Sequence, residues 1–121
     1  MLATSALLMI TLVATSALSA VEGGAAPTFA KDVLPMLTDR CADCHGAKKQ
    51  KAGLRLDSLE AVLKGNEDGP VLTKGKPEAS RIIKLISLPK DDGDRMPPKG
   101  EPLNAEQVKV ISRWIAAGAP E

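Results

Sequence analysis

Four stretches of the chain repeat their apolar residues at the three- and four-residue spacing that is typical of an amphipathic helix. The first stretch follows Thr28, which is placed to cap a helix at its N-terminus. Its apolar residues are Phe29, Val33, Met36 and Leu37. Pro35 lies inside the pattern and is predicted to kink or shorten this helix, because proline removes one backbone hydrogen bond.

The second and third stretches are shorter, and each has a start signal. Asp57 and Glu60 form a capping-box pattern at the start of the second helix, and Gly65 is placed to end it. The third helix is predicted to begin at Pro77, because proline fits the first helical position. The apolar stripes are Leu59, Val62 and Leu63 in the second helix and Ile82, Ile83, Leu85 and Ile86 in the third.

The fourth helix has the clearest start and end signals. Asn104 and Gln107 form a capping box, and Gly118 is placed to close the helix. Leu103 and Val108 have the spacing of a hydrophobic staple. The apolar face of the helix consists of Val108, Ile111, Trp114 and Ile115.

Long loops rich in glycine and proline connect these helices, over residues 65–75 and 89–102. No alternating strand pattern lasts beyond the few residues around 54–56. The pattern therefore predicts an all-α domain of about four helices with long loops, over residues 29–119. Loops of this length in so small a domain indicate that they pack on something other than each other.

The N-terminal segment differs from the rest of the chain because it carries no charged side chain through residue 21. Fourteen of its first twenty residues are apolar, and small residues follow at Ser19 and Ala20. This pattern predicts a signal peptide over residues 1–20 and a short linker over residues 21–28. About 20 apolar residues can also span a bilayer, so an uncleaved anchor is the alternative. Both alternatives predict an exported, periplasmic domain.

The composition limits what can form the core and what the chain can bind. A formal net charge of +1 argues against nucleic-acid binding, which normally needs a strongly basic face. Two cysteines are too few for a disulfide-rich scaffold. The chain has one Phe, one Trp and no Tyr, although aromatic side chains usually supply much of a core. This scarcity favours a bound cofactor that fills the centre.

Both cysteines and the single histidine lie within five consecutive residues, 41–45. C-x-x-C-H is the attachment motif of c-type haem. The spacing allows Cys41 and Cys44 to form two thioethers with one porphyrin, and His45 to bind the iron as the proximal ligand. The other ring nitrogen of His45 is then expected to donate to a backbone carbonyl. One such motif predicts one covalently bound haem c.

The same residues could instead form a disulfide or a redox dithiol, or bind zinc. Thioredoxin-like dithiols occur next to a βαβ pattern, which this sequence does not show. A structural zinc site normally has four ligands, whereas the chain offers two cysteines and one histidine and would have to add a carboxylate. Haem attachment is therefore the favoured interpretation.

A low-spin electron carrier also needs an iron ligand on the opposite face of the haem. Met96 lies 51 residues after His45, so the chain can pass around the macrocycle between them. Pro97 and Pro98 follow Met96 and stiffen its loop. Ligation by Met96 suits electron transfer, and Met36 is interpreted as a core residue. The alternative is that Met96 packs against apolar surface, and that another group or none takes the distal position.

Two sets of charged residues near the motif are candidates for recognition. Lys48, Lys49 and Lys51 follow the motif, where they steer an acidic redox partner or form a solvated loop. Arg55 is a candidate contact for a haem propionate, because a guanidinium pairs well with a carboxylate.

Residues 29–119 resemble the planctomycete-type cytochrome c domain, within the class I cytochrome c superfamily. The resemblance covers 91 residues and depends on several short segments in combination. The segments are Phe29 with Asp32-Val33-Leu34-Pro35, Cys41-Ala42-Asp43-Cys44-His45-Gly46, Gly53-Leu54-Arg55-Leu56-Asp57, Gly75-Lys76-Pro77-Glu78-Ala79-Ser80, Arg95-Met96-Pro97-Pro98-Lys99-Gly100 and Trp114-Ile115-Ala116-Ala117-Gly118-Ala119.

The resemblance implies a small cytochrome c-like fold around one covalent haem c. It implies that the first and last helices cross, with Phe29 and Trp114 packed near the crossing. The residues it implies for attachment and axial ligation are those of the motif and the later loop, Cys41, Cys44, His45 and Met96.

The predicted function is that of a monohaem c-type cytochrome that carries single electrons between redox proteins outside the cytoplasm, and not that of an enzyme. The chain is expected to be a monomer, to bind no nucleic acid, and to contact the membrane only if its N-terminal segment stays uncleaved. One alternative is a haem protein with an open or labile distal site that acts as a peroxidase or a small-gas sensor. Another is an interaction module that needs no haem.

Overall fold

Residues 25–121, the part of the chain that the computed structural model describes, contain four α-helices and three shorter helical turns. The helices are α1 (Leu34–Arg40), α2 (Leu59–Lys64), α3 (Arg81–Ile86) and α4 (Ala105–Ala116). Residues 25–121 contain no strand, which confirms the predicted all-α fold with four helices. No helix in this range is long and apolar enough to cross a membrane. The predicted signal peptide, residues 1–20, lies outside the described residues.

The first helical segment starts differently from the prediction. The side chain of Thr28 makes no capping hydrogen bond, and its backbone N–H donates to Oδ2 of Asp32 at 2.9 Å. Phe29–Val33 form a π-helical turn that runs directly into α1. Pro35 lies in the first turn of α1, where its missing N–H removes no bond inside that helix. Instead of a kink at Pro35, the helical segment changes from π-helical to α-helical geometry just before this residue.

The predicted starts of α2 and α3 are each displaced. Ser58 caps α2, because its Oγ accepts from the backbone N–H of Ala61 at 3.2 Å, while Asp57 pairs with Arg55 instead. Pro77 begins a short 3₁₀ turn, Pro77–Ala79, and α3 starts only at Arg81. For α2 the adjacent serine has the capping geometry that Asp57 lacks, and for α3 the predicted first turn has 3₁₀ rather than α-helical geometry.

The predicted capping box of α4 is confirmed in full. Oδ1 of Asn104 accepts from the backbone N–H of Gln107 at 2.9 Å, and Oε1 of Gln107 accepts from the backbone N–H of Asn104 at 2.8 Å. Gly118 lies just beyond the end of the helix in the left-handed region, at φ 93°.

The core forms where the π-helical turn and α3 pack against α4. The rings of Phe29 and Trp114 lie 5.8 Å apart between centroids, so the contact implied at the crossing is present. The carbonyl of Pro120 accepts from both the backbone N–H of Phe29 and Nε1 of Trp114, at 2.9 and 2.8 Å. The largest fully buried side chains are Trp114, Leu37, Ile111, Ile115, Val33 and Val62.

Candidate cofactor site

The C-x-x-C-H motif begins where α1 ends and folds into a tight turn. The backbone N–H of Cys41 donates to the carbonyl of Leu37 at 2.9 Å, which continues the helical pattern into the motif. The N–H groups of Cys44 and His45 both donate to the carbonyl of Cys41, at 3.2 and 2.9 Å. These bonds hold the two thiols and the imidazole on one turn of backbone.

Gly46 closes this turn because only glycine fits there. Gly46 is buried, and a Cβ atom at this position would lie 2.4 Å from the carbonyl oxygen of Ala42. That separation is shorter than real Cβ contacts, so any side chain would push the motif backbone apart. The glycine that follows the histidine therefore keeps the motif compact.

The ring of His45 is oriented by a backbone carbonyl. Nδ1 of His45 lies 3.3 Å from the carbonyl oxygen of Leu54. A carbonyl oxygen only accepts, so Nδ1 carries the proton and donates, and the lone pair of the neutral ring is on Nε2. Nε2 is therefore the nitrogen available to a metal, as in metal sites where a second partner fixes the tautomer of the ligating histidine.

Three adjoining cavities, of about 110, 50 and 480 Å³, are each bordered by both His45 and Met96. The first has mainly aliphatic walls, formed by Leu54, Val71, Ile82, Leu85 and Ile86. The second is bordered by both thiols, and the largest by Cys44, together with Pro98 in each case. The structure thus places Cys41, Cys44, His45 and Met96 around cavities that share His45 and Met96. Met36 packs against the core and borders none of these cavities.

The residues around this site suit a haem c. Two thiols can attach the porphyrin, one imidazole nitrogen is available to iron, and a partly buried thioether sulfur borders the same space. The aliphatic walls fit a flat apolar ring. The donor set and the apolar lining therefore fit the group that the motif predicts.

The loop that carries Met96 is anchored to α3. The backbone N–H of Met96 donates to the carbonyl of Leu85 at 3.0 Å, and the side chains of both residues border the first cavity. Arg95, the preceding residue, is buried. Met96 is therefore held at the wall of the site by the last turns of α3.

Arg55 does not border the cavities shared by His45 and Met96. It lines a separate polar cavity and donates to both carboxylate oxygens of Asp57, at 3.0 and 2.6 Å. These hydrogen bonds hold the pKa of the Asp57 carboxyl below its ordinary value. The bonds to Asp57 use Nε and Nη2 of Arg55.

Two polar side chains that the sequence does not single out border the first cavity. Nη2 of Arg81 donates to Oδ1 of Asn66 at 3.3 Å, and both side chains lie among the aliphatic walls. Arg81 follows Ser80 at the start of α3, and Asn66 is 15 residues earlier in a loop. No local pattern joins two such residues, so only the path of the chain reveals them.

Cys41 is a largely desolvated thiol. Burial raises the pKa of the Cys41 thiol to about 11, and the neighbouring Arg40 only partly opposes this effect. A reactive redox dithiol normally has a lowered thiol pKa, which the buried Cys41 lacks. Within residues 25–121 no three His, Cys, Asp or Glu side chains are grouped as a metal site, and both thiols are unpaired.

Comparison with known families identifies the central part of the chain. A family model described as Planctomycete cytochrome C matches residues 41–100. The matched range starts at Cys41 and ends at Gly100, so it includes the motif and the Met96 loop, while α4 lies outside it. No curated protein and no solved structure matches the chain.

Proposed function

The chain carries a planctomycete-type cytochrome c domain, and from this we propose that it is a monohaem c-type cytochrome that transfers single electrons between protein partners outside the cytoplasm. A domain of this family indicates a haem-binding electron carrier rather than an enzyme. The observation that supports the specific role is that His45 and Met96 border the same three cavities, two of which are also bordered by motif cysteines. One motif and two cysteines in the sequence support a single haem.

In this proposal Cys41 and Cys44 would hold the porphyrin by thioethers, and His45 and Met96 would bind its iron. When bound, the haem supplies one-electron chemistry through its Fe(III)/Fe(II) couple. The carbonyl of Leu54 keeps His45 in the tautomer that ligates through Nε2. The aliphatic walls would cover part of the porphyrin, and a thioether ligand such as Met96 favours the reduced state.

The distal ligand is tested by comparing Met96→Ala with Met36→Ala in haem-matured protein. Met96→Ala is expected to convert the reduced protein from low spin to high spin. It is also expected to lower the reduction potential by ~0.1 V, within the roughly 0.8 V range that axial ligands set. Met36→Ala is expected to change neither, because Met36 borders none of the three cavities. An unchanged low-spin spectrum in Met96→Ala contradicts the assignment.

The same proteins separate electron transfer from peroxidase or gas-sensor activity. In an electron carrier with a bound Met96, carbon monoxide binds the reduced wild-type protein slowly and Met96→Ala quickly. Equal, rapid binding by both proteins supports an open distal site. A reduced wild-type protein without c-type absorption bands contradicts the haem proposal as a whole.

The propionate contact of Arg55 stays a prediction, and Arg81 is the guanidinium that borders the first cavity. The two alternatives differ in which arginine lies near the haem carboxylates. A nearby cation stabilises the reduced haem, which carries one more negative charge than the oxidised haem. Removal of that cation therefore lowers the reduction potential. Arg81→Gln is expected to lower the potential and Arg55→Gln to leave it unchanged, measured by redox titration. A decrease in Arg55→Gln alone supports the contact at Arg55.

Export is the part of the proposal that depends on residues 1–20. A cleaved signal peptide predicts a haem protein in the periplasmic extract whose mass lacks about 20 residues. A full-length chain in the membrane fraction supports the uncleaved anchor. A full-length chain in the soluble cytoplasm contradicts export.

A further inference from the structure

Arg95 is a buried cation immediately before Met96. Its exposed fraction is 8%, and it is the only buried residue with a charged side chain in residues 25–121. The ion pairs within this range are Arg55–Asp57 and Lys90–Glu101, so no carboxylate pairs directly with Arg95. Burial of a charge costs free energy unless hydrogen bonds compensate it. In Arg95 this cost is offset by hydrogen bonds from the guanidinium to backbone carbonyls.

The guanidinium of Arg95 spans the loop that follows Met96. Nη1 donates to the carbonyl of Pro97 at 2.6 Å, and Nη2 donates to the carbonyl of Gly100 at 3.1 Å. Pro97 and Pro98 have no backbone N–H, so the loop cannot close with its own donors at these positions. Arg95 supplies the missing donors from inside the loop.

The loop closed by Arg95 is also attached to the rest of the site. Arg40, at the end of α1, donates to the carbonyl of Glu101 and borders the same cavity as Cys41 and Met96. On the other side, the backbone N–H of Met96 donates to Leu85. The backbone N–H of Met96 is thus bonded to α3, and the residues that follow Met96 are held by the hydrogen bonds of Arg95.

We propose that Arg95 is a positioning residue for Met96, and that its two hydrogen bonds keep the Met96 sulfur at the iron position. The inference rests on the proposed function, because it takes Met96 as the distal ligand. Two donors in a fixed planar fork are required to reach Pro97 and Gly100 together. Lysine keeps the charge but offers a single nitrogen. Arg95→Lys therefore distinguishes the effect of the charge from that of the two hydrogen bonds.

The test measures how readily imidazole displaces Met96 from the ferric haem-matured protein. Arg95→Lys and Arg95→Met are expected to raise the imidazole association constant at least ~10-fold, which equals ~1.4 kcal/mol. Both are expected to weaken the charge-transfer band of methionine-ligated ferric haem. Arg113→Lys is the matched control, because Arg113 lies on α4 and borders none of the three cavities. It is expected to keep wild-type values.

Arg95→Met removes the buried charge together with its donors, so it remains testable where Arg95→Lys does not fold. Wild-type imidazole affinity and an unchanged band in either folded variant overturn the inference, whatever the loss of thermal stability. Met96→Ala in the same assay separates the two proposals. If Met96→Ala also leaves the imidazole affinity unchanged, the distal ligand itself is wrongly assigned. If only the Arg95 variants are unchanged, Arg95 alone is wrongly assigned.

Discussion

The surroundings of individual side chains set the chemistry of the motif. The carbonyl of Leu54 determines which nitrogen of His45 carries the proton, and therefore which nitrogen can bind a metal. Burial keeps Cys41 as a thiol in the chain without haem, and the close approach of Gly46 to Ala42 keeps the turn short. Each effect comes from one neighbour or from exclusion of water, and none depends on the overall charge of the chain.

The raised pKa of Cys41 predicts slow alkylation in the folded chain without haem. In a Cys44→Ala chain, iodoacetamide is expected to label Cys41 about 100-fold more slowly in buffer near pH 8 than in urea, because the thiolate fraction falls tenfold per unit of pKa. The folded-state pKa of about 11 compares with an ordinary 9.0. The labelling rate of the folded chain should therefore keep rising as the pH approaches 11. Equal rates in buffer and urea contradict the prediction, and mass spectrometry measures the product.

At the scale of secondary structure, α4 is the only helix of residues 25–121 that has both a full capping box and substantial length. It has 12 residues, whereas α1, α2 and α3 have 7, 6 and 6. Isolated helices shorter than about 12–15 residues are marginal in water, so the three short helices depend on packing. Of the three, α3 packs on α4, while α1 and α2 contribute Leu37 and Val62 to the core.

Loss of the capping box is expected to destabilise the protein moderately. Asn104→Ala leaves the N–H of Gln107 without its side-chain acceptor. This change should cost ~1 kcal/mol and lower the Tm by about 4–8 °C, measured by circular dichroism. Lys109→Ala, an exposed position on the same helix, serves as the control and should leave the Tm within about 2 °C. A decrease as small as that of the control contradicts the role of the cap.

The contact between the first and last helical segments predicts a larger effect. Phe29→Ala removes a ring that is packed against Trp114, so unfolding by urea should require ~3 kcal/mol less free energy. Phe29→Leu keeps most of the volume and should cost less than about 1.5 kcal/mol. The haem spectrum should be unchanged in both, because Phe29 borders none of the cavities. A spectral change in the folded Phe29→Leu protein would show that this crossing also shapes the haem site.

At the scale of the whole molecule, the position of charge matters more than its sum. The net charge is only +1, yet Lys48, Lys49 and Lys51 are all exposed beside the motif. Lys51 borders the largest cavity together with Cys44 and Pro98. Three exposed cations therefore follow the motif in the chain, and one of them lies at the edge of this cavity.

These lysines predict electrostatic steering of an anionic redox partner. Replacing all three by Glu should lower the rate of reaction with the hexacyanoferrate anion by ~10-fold at low ionic strength. The difference should shrink near 1 M salt, where the Debye length is about 3 Å. The same replacement at Lys74, Lys76 and Lys109 is the matched control, and stopped-flow absorbance gives the rates. Equal rates for the two triple variants would mean that the lysines beside the motif form only a solvated loop.

The sequence by itself determines the features that depend on neighbouring residues. The attachment motif, the capping box of α4 and the number of helices all arise from spacings within about four residues, which fix local backbone geometry. The same short range explains where prediction was wrong: Asp57 and Ser58 are adjacent and both can cap a helix, and only the partner Arg55 decides between them.

The tertiary structure decided which distant residues share the site. The Leu54 carbonyl, the Arg81–Asn66 pair and the bond of Arg40 to Glu101, 61 residues away, leave no local pattern in the sequence. No local pattern in the sequence distinguishes Arg95 from an exposed arginine, and the path of the loop is what buries it. Burial and long-range hydrogen bonds depend on how the whole chain packs, so they are determined only when the helices and the loops come together.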